Sequence, residues 1–374
     1  MISGSRLPTL LITGANGFIG SAIIARLIQG KGWDRCIFLV RAPSREDGLA
    51  KLAHSLRKHA VAEEALNRLR LGQILCGDLT YVPDWKNDPR LSSIIDVVNC
   101  AAVASFSNHP SIWPTNVDGV VSLAKVLHER CRLRRFLHLG TAMSCGRQAP
   151  KLVLEGYDAG SSTEHFLQYT ESKYEAERRL RTQLRRLPLV VARPSIVVGH
   201  TLLGCIPSGS IYWVFRLARA LRSFPCELSQ KIDVIPVDYC AKVVQHLIEK
   251  RRLRHTVYHI SAGPKRCSSF AEIDFAIAKG IGEKPLQNYQ TLPPEKIASR
   301  YPDFERRIGS ANRRLVLRAI KAYGNFAKLG MIFDNSRTLA EGIELPTRFT
   351  EYAGACEITS SNTLISEQMK FDYK

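Results

Sequence analysis

Short apolar runs recur along the chain, at Thr9 to Ile12, Cys36 to Val40, Ile74 to Cys76, Asp96 to Cys100, Phe136 to Leu139, Leu189 to Ala192 and Val257 to Ile260. Runs that are brief and apolar throughout, rather than alternating, predict strands buried on both faces of a sheet. Between the first two, Ile19, Ile23, Ile24, Leu27 and Ile28 return at helical spacing, and Val117, Val121, Leu123, Ala124 and Leu127 do so ahead of the fifth run. Strand and helix in alternation predict βαβ units, wound into a parallel sheet with helices on both faces.

Beyond Ala262 the pattern changes to basic helical pieces broken by Pro285, Pro293, Pro294, Pro302 and Pro346, with no further run of strands. This predicts a smaller, mostly helical cap rather than a second independent fold. Another part of the cap is expected between Gly199 and Lys231, where Tyr212, Trp213, Phe215, Leu217 and Leu221 cluster as either a core-facing helix or a lid over substrate. The expected division is 1–200 plus 232–262 for the sheet domain, 201–231 plus 263–355 for the cap, and 356–374, mostly polar, as a flexible tail.

Candidate chemistry begins where the first strand ends. LLITGANGFIGSAIIARLI puts Thr13, Gly14, Asn16, Gly17, Phe18, Ile19 and Gly20 between a predicted strand and a predicted helix, the context that makes glycines at this spacing a dinucleotide fingerprint. Gly14 would allow the tight turn, Gly17 the approach of a pyrophosphate, and Gly20 close helix packing, while the helix offers its first amides to the phosphates. The doubly wound α/β sheet is therefore expected to be of Rossmann type. An acid about 20 residues on would bind ribose hydroxyls in an NAD-preferring protein. This chain has Arg41 there, with Arg45 or Lys51 as a second positive charge, which suits a 2′-phosphate and favours NADP(H) over NAD(H). Asp78 and Leu79 after the third strand, Ala101 and Ala102 after the fourth, and Pro194, Ser195 and Ile196 after the sixth complete the candidate cofactor contacts. For Asp78 a loop-capping role competes with that reading.

Tyr169 and Lys173 in YTESK are four apart, which places both on one face of a helix. A phenol beside an ammonium is a proton donor whose pKa the positive charge lowers from about 10. Thr141, just past the fifth strand, adds a hydroxyl at the sheet edge where ligands of open α/β folds collect, with Ser144 as the alternative.

The net charge of +19, from 53 Lys+Arg against 34 Asp+Glu, implies polyanionic company such as phosphate-bearing cofactors, acidic proteins or anionic lipid. No helix-turn-helix or aromatic-plus-basic element supports nucleic-acid binding. Ten cysteines lie scattered without a CxxC pair, which argues for reduced thiols in the cytoplasm and against a metal site.

In order along residues 8–263, TGANGFIG, NCAAVASF, NVDG around Asn116, GTA at Thr141, YTESK and ARPS resemble the extended short-chain dehydrogenase/reductases. The resemblance implies a catalytic triad of Thr141, Tyr169 and Lys173, with Asn116 as a fourth, supporting member. LVRA at 39–42, SFSNHPSIWPTNVDG, KIDVIPVDYCAKVV and VYHISAG look like the branch of thioester reductases and fatty acyl reductases, which reduce acyl groups held on a phosphopantetheine thiol. That implies an NADPH-dependent reductase giving an aldehyde or alcohol, its acyl carrier arriving in trans. The rival readings are an enzyme of the same fold acting on a free ketone, alcohol, sterol or nucleotide sugar, and a non-enzymatic NADP-sensing regulator.

An acidic carrier protein would suit the basic clusters at Arg132, Arg134 and Arg135, at Arg178 to Arg186, at Lys250 to Arg254, and at Arg306 to Arg318. Two further expectations concern assembly: peripheral contact of the basic stretch Arg313 to Lys328 with anionic lipid, and a homodimer paired through two helices, as superfamily members often form.

Overall fold

Seven parallel strands form the central sheet of the computed structural model, which describes residues 9–30, 32–160, 162–298, 308–310 and 313–372. They are β1 (Leu10–Thr13), β2 (Cys36–Val40), β3 (Ile74–Cys76), β4 (Asp96–Asn99), β5 (Arg135–Leu139), β6 (Leu189–Pro194) and β7 (Val257–Ile260), in the spatial order β7-β6-β5-β4-β1-β2-β3. The strands fall where the apolar runs predict because helices cover both faces. α1 (Phe18–Ile28) and α2 (Arg45–Arg57) pack on one face, and α3 (Val120–Arg130) and α4 (Gln168–Gln183) on the other. Chain direction across the sheet reverses between β1 and β4, so a crevice opens at the strands' C-terminal ends.

Four further helices, α5 (Tyr212–Leu221), α7 (Phe270–Gly280), α8 (Arg313–Leu329) and α9 (Phe349–Ser360), build the cap, while α6 (Val237–Glu249) lies beside α1 on the sheet. The strands beyond Ala262 that leave the main sheet are two-residue ladders, Ser268–Ser269, Gln290–Thr291 and Ile332–Phe333. The choice left open for α5 is settled by its faces. Tyr212, Trp213, Phe215 and Leu217 are buried in the cap core, and the preceding Ser208, Ser210 and Ile211 line a cavity.

Two expectations about the chain's end are corrected. Residues 356–372 are not a loose tail: α9 continues to Ser360 and α10 spans Ile365–Asp372. Cys356, Ile365 and Met369 are buried among the polar residues there, and Glu357 accepts from Tyr212 Oη at 2.8 Å and pairs with Arg216 at 3.2 Å. The stretch around Asn335 to Glu341, assigned by sequence to the cap, packs on the edge strand β7. Thr338 Oγ1 donates to the His259 carbonyl at 2.7 Å, and Tyr258 Oη donates to Glu341 at 2.6 Å. Cap and sheet meet at buried Asp233, whose carboxylate accepts from the amides of Ala262 at 2.7 Å and of Gly263 and Phe333 at 3.2 Å.

Several basic residues expected to steer a partner are engaged by other groups of the chain. Arg135 is buried and donates to the carbonyls of Leu247, Ile248 and Lys250, closing the C-terminus of α6, where a cation suits the helix dipole. Arg134 pairs with Asp96, Arg178 and Arg179 pair with Glu175, and Lys250 pairs with Glu341. Arg306 and Arg307 lie outside the described residues. The lipid-facing role for α8 is also corrected, because Val316, Ala319, Ile320, Tyr323 and Ala327 turn its apolar face into the cap core. Among the described residues no helix is long and apolar enough to cross a membrane.

One ion pair under the crevice is worth far more than those on the surface. Arg193 on β6 grips Glu177 on α4 with Nη2 at 2.6 Å, and Glu177 is 3% exposed. Glu177→Ala leaves a buried guanidinium without its countercharge, at a cost of about 3–5 kcal/mol, so calorimetry should show a melting temperature about 10 °C lower. Arg178→Ala, which removes an exposed pair, should change stability by less than about 1 kcal/mol.

Candidate active site

The glycine turn is built as the fingerprint requires. Gly14 takes φ +63°, and a Cβ there would lie 2.7 Å from the Ala101 nitrogen, so β1 and the loop after β4 touch through it. At Gly20 a Cβ would meet the Gly14 carbonyl oxygen at 2.1 Å. Gly17 N–H donates to the Gly14 carbonyl at 2.9 Å, and α1 begins with no side-chain cap and no acid in its first turn. The amides of Phe18, Ile19 and Gly20 therefore open toward the crevice, an arrangement that fits an anionic diphosphate.

Thr141, Tyr169 and Lys173 share the wall of one cavity of about 350 Å³ with Gly14, Gly17 and Gly20. Lys173 is 2% exposed, and its ammonium donates to the Leu139 carbonyl at 2.7 Å. Burial pulls its pKa down to about 8, offset in part by nearby Cys100 and Glu177. Tyr169 departs from expectation. Burial pushes its phenol up to about 12, while the Lys173 ammonium is turned onto a backbone carbonyl. A phenol that holds its proton this firmly is fully protonated at neutral pH, the state a donor needs. Thr141 caps the short turn Ala142–Cys145 by accepting from Met143 N–H at 3.3 Å, which leaves its own hydrogen for the cavity. Ser144 drops out as the alternative, since it is buried and donates to the Thr141 carbonyl at 2.7 Å.

Asn116 is buried in a π-helical turn, Pro114–Gly119. Its Oδ1 accepts from Val103 N–H at 2.8 Å, and its Nδ2 donates to the Val103 carbonyl at 3.1 Å and to Ser172 Oγ at 3.0 Å. Ser172 in turn donates to the Tyr169 carbonyl at 2.8 Å. Asn116 thus clamps the loop after β4 to the helix that carries Tyr169 and Lys173. This clamp positions the pair, which is a supporting role for Asn116.

A polar ladder not foreseen from sequence runs beneath the crevice. Thr13 Oγ1 accepts from Ala101 N–H at 3.2 Å and donates to Asn99 Oδ1 at 2.6 Å, and Asn99 Nδ2 meets His138 Nδ1 at 3.0 Å. All three side chains are fully buried. They tie the ends of β1, β4 and β5 together, so the glycine turn and the strand leading to Thr141 keep a fixed separation. The available signal was the polar interruption of otherwise apolar strands, DVVN and RFLHL.

The other predicted contacts divide. Ala102, Pro194, Ser195 and Ile196 line the cavity. Thr13 and Leu79 are buried structural residues, and Ala101 serves as the backbone neighbour of Gly14. Arg41, Lys51 and Asp78 group at the ends of β2 and β3, outside the cavity. Arg41 lies 3.6 Å from Asp78, and Lys51 Nζ donates to the Arg41 carbonyl at 2.9 Å. Asp78 also caps its own loop, accepting from Thr80 N–H at 2.8 Å and Thr80 Oγ1 at 2.9 Å. Although burial would raise its pKa, these bonds and Arg41 hold it below the usual carboxylate range. Sequence reasoning missed the cap side of the cavity, Phe106, Met143, Ile211, Tyr323 and Phe326. No cluster of His, Cys, Asp and Glu that could hold a metal occurs among the described residues.

Residues 12–244 match an NAD-binding family model described as Male sterility protein. The chain is 26% identical over 277 residues to "Non-canonical nonribosomal peptide synthetase hkm10" of Aspergillus hancockii, covering 67% of this chain and 26% of that protein. With L-2-aminoadipate reductase of Schizosaccharomyces pombe it shares 25% identity over 283 residues, 69% of this chain and 19% of that protein. The chain spans about a quarter of the length of the first curated relatives it matches. Its fold is that of the terminal R domain from the myxalamid PKS-NRPS biosynthetic pathway, with a TM-score of 0.74 at 20% identity over 96% of this chain and 92% of that one.

Proposed function

We propose that this chain, which belongs to the NAD-binding family described as Male sterility protein and with it to the extended short-chain dehydrogenase/reductases, reduces an acyl thioester with NADPH. The observation that carries the reading is the single cavity in which the uncapped glycine turn and the hydroxyls of Thr141 and Tyr169 converge. The relatives support the substrate class, since the chain matches a synthetase that builds peptides and an enzyme named for reducing an amino acid.

The residues present fit a dinucleotide: Gly14, Gly17 and Gly20 clear the path for its diphosphate, and Lys173 lies deep in the cavity to hold a ribose hydroxyl. When bound, the nicotinamide supplies the hydride. As a C–H bond forms at the thioester carbon, the carbonyl π pair moves onto oxygen, where Thr141 and Tyr169 donate hydrogen bonds that strengthen as charge develops. Tyr169 then gives up its proton to that oxygen. Collapse of the resulting hemithioacetal re-forms the carbonyl and breaks the C–S bond, its hydroxyl proton leaves with the sulfur as a thiol, and the Tyr169 phenolate takes a proton from solvent. A second hydride would carry the aldehyde to an alcohol. An acyl carrier protein would present the thioester, and the exposed Arg132, Arg185, Arg186, Arg251 and Arg252 are among the charges that would guide an acidic one.

Stoichiometry tests the reading. With NADPH and acyl-pantetheine thioesters, one NADPH consumed per thiol released gives the aldehyde, and two give the alcohol. NADPH oxidation with ketones or sugars and none with thioesters would reject it. Arg41 is the residue we assign to NADP preference. Arg41→Ala should lower the ratio of NADPH to NADH efficiency by about 10- to 100-fold, the worth of one charge-assisted phosphate contact, and an unchanged ratio would remove the assignment.

A further inference from the structure

Past Thr141 and Tyr169 the cavity wall is made by Phe106, Met143, Ile211, Tyr323 and Phe326. The rings hold one another in place. Phe106 stacks on Tyr323 with centroids 4.4 Å apart, Phe326 meets Phe106 edge-on at 6.1 Å, and Trp213 closes the far side of Tyr323 at 5.1 Å. Among the described residues Lys173 is the one charged side chain on the wall, and its ammonium is engaged with the Leu139 carbonyl. Two smaller voids lie behind, of about 40 Å³ and about 10 Å³, and both share Met143 and Phe326 with the main cavity. Those two side chains therefore stand between the reacting centre and both voids.

We propose that this wall selects a compact apolar acyl group, branched or aromatic, and that Phe326 and Met143 set its length limit; the inference rests on the thioester reading above. An acyl group ending in a carboxylate or an ammonium would lose its hydration against four apolar side chains and the ring of Tyr323, with no countercharge to replace it. A group of the right size gains apolar contact, and an aromatic one gains edge contacts with rings already fixed by their neighbours. A long chain would have to enter the voids behind Phe326, which are far smaller than the 350 Å³ in front of it.

The test is a set of pantetheine thioesters offered with NADPH to the wild-type chain: a branched short acyl, a benzoyl-sized acyl, a long straight acyl, and isosteres of the first two ending in carboxylate or ammonium. The expected kcat/KM favours the compact apolar members over their charged isosteres by about 100-fold. Phe326→Ala and, separately, Met143→Ala should move the optimum to acyl groups about two carbons longer, with a relative gain of about 10-fold. NADPH binding and melting temperature establish that each variant is folded, and the wild-type ranking decides the matter if neither is. Equal rates for charged and apolar isosteres, or a preference for the long chain, overturn this inference while leaving the thioester reading intact. Failure to turn over any thioester overturns that reading, and this inference with it.

Discussion

Tyr169→Phe should lower the rate of NADPH-dependent reduction by about 10³-fold or more while leaving NADPH affinity unchanged. The estimate combines the loss of a general acid, about 10²–10⁴-fold, with the loss of one of two donors to the developing oxyanion. The phenol is on the cavity wall, and no hydrogen bond to another described residue holds its hydroxyl, so the substitution removes a proton donor without breaking the fold. Single-turnover absorbance of NADPH reads the rate, and titration of NADPH fluorescence reads the affinity. Retained activity would remove Tyr169 from the chemistry. Weakened binding with intact chemistry would make it a cofactor contact instead.

The second large effect is expected at the turn that receives the diphosphate. Gly14→Val asks a β-branched residue to take φ +63° and places its Cβ 2.7 Å from the Ala101 nitrogen, an atom of the backbone that cannot swing aside. The loop must shift, and NADPH affinity should fall about 100-fold, close to 2.7 kcal/mol. Gly32 separates conformation from contact. It too has a positive φ, +89°, but nothing lies within 4 Å of its Cβ position. Gly32→Ala should therefore cost a little stability and leave NADPH binding alone. Equal losses at both sites would mean that backbone strain, not the closeness of Gly14 to the loop after β4, governs the cofactor site.

Most of the sheet was legible because its signal is local. A strand covered by helices on both faces must be apolar throughout, as Cys36–Val40 is, and the run marks the strand without reference to anything distant. The glycine turn was legible for a similar reason, since each glycine answers a steric demand made within a few residues or by the next strand. Tyr169 and Lys173 were legible as one face of a helix through their spacing, and as candidates through their place between the fifth and sixth strands.

What escaped depends on segments that meet only in the fold. Phe106, Met143, Ile211 and Phe326 lie on four separate stretches of chain, and nothing in their spacing announces a shared wall. Tyr169's high pKa required knowing how deeply the fold buries its phenol. Arg135 reads as one more surface cation until the carbonyls of α6 are seen around it. The polar end of the chain reads as a tail because Cys356, Ile365 and Met369 are too few to form a pattern, although they are enough to anchor two helices.

The most direct test of the whole account is the position of the nicotinamide in a crystal structure of this chain with NADPH. The account predicts the diphosphate on the amides of Phe18 to Gly20, the ribose on Lys173, and the reactive ring carbon beside the hydroxyls of Tyr169 and Thr141. A dinucleotide bound elsewhere, or one whose nicotinamide points away from those hydroxyls toward solvent, would contradict it.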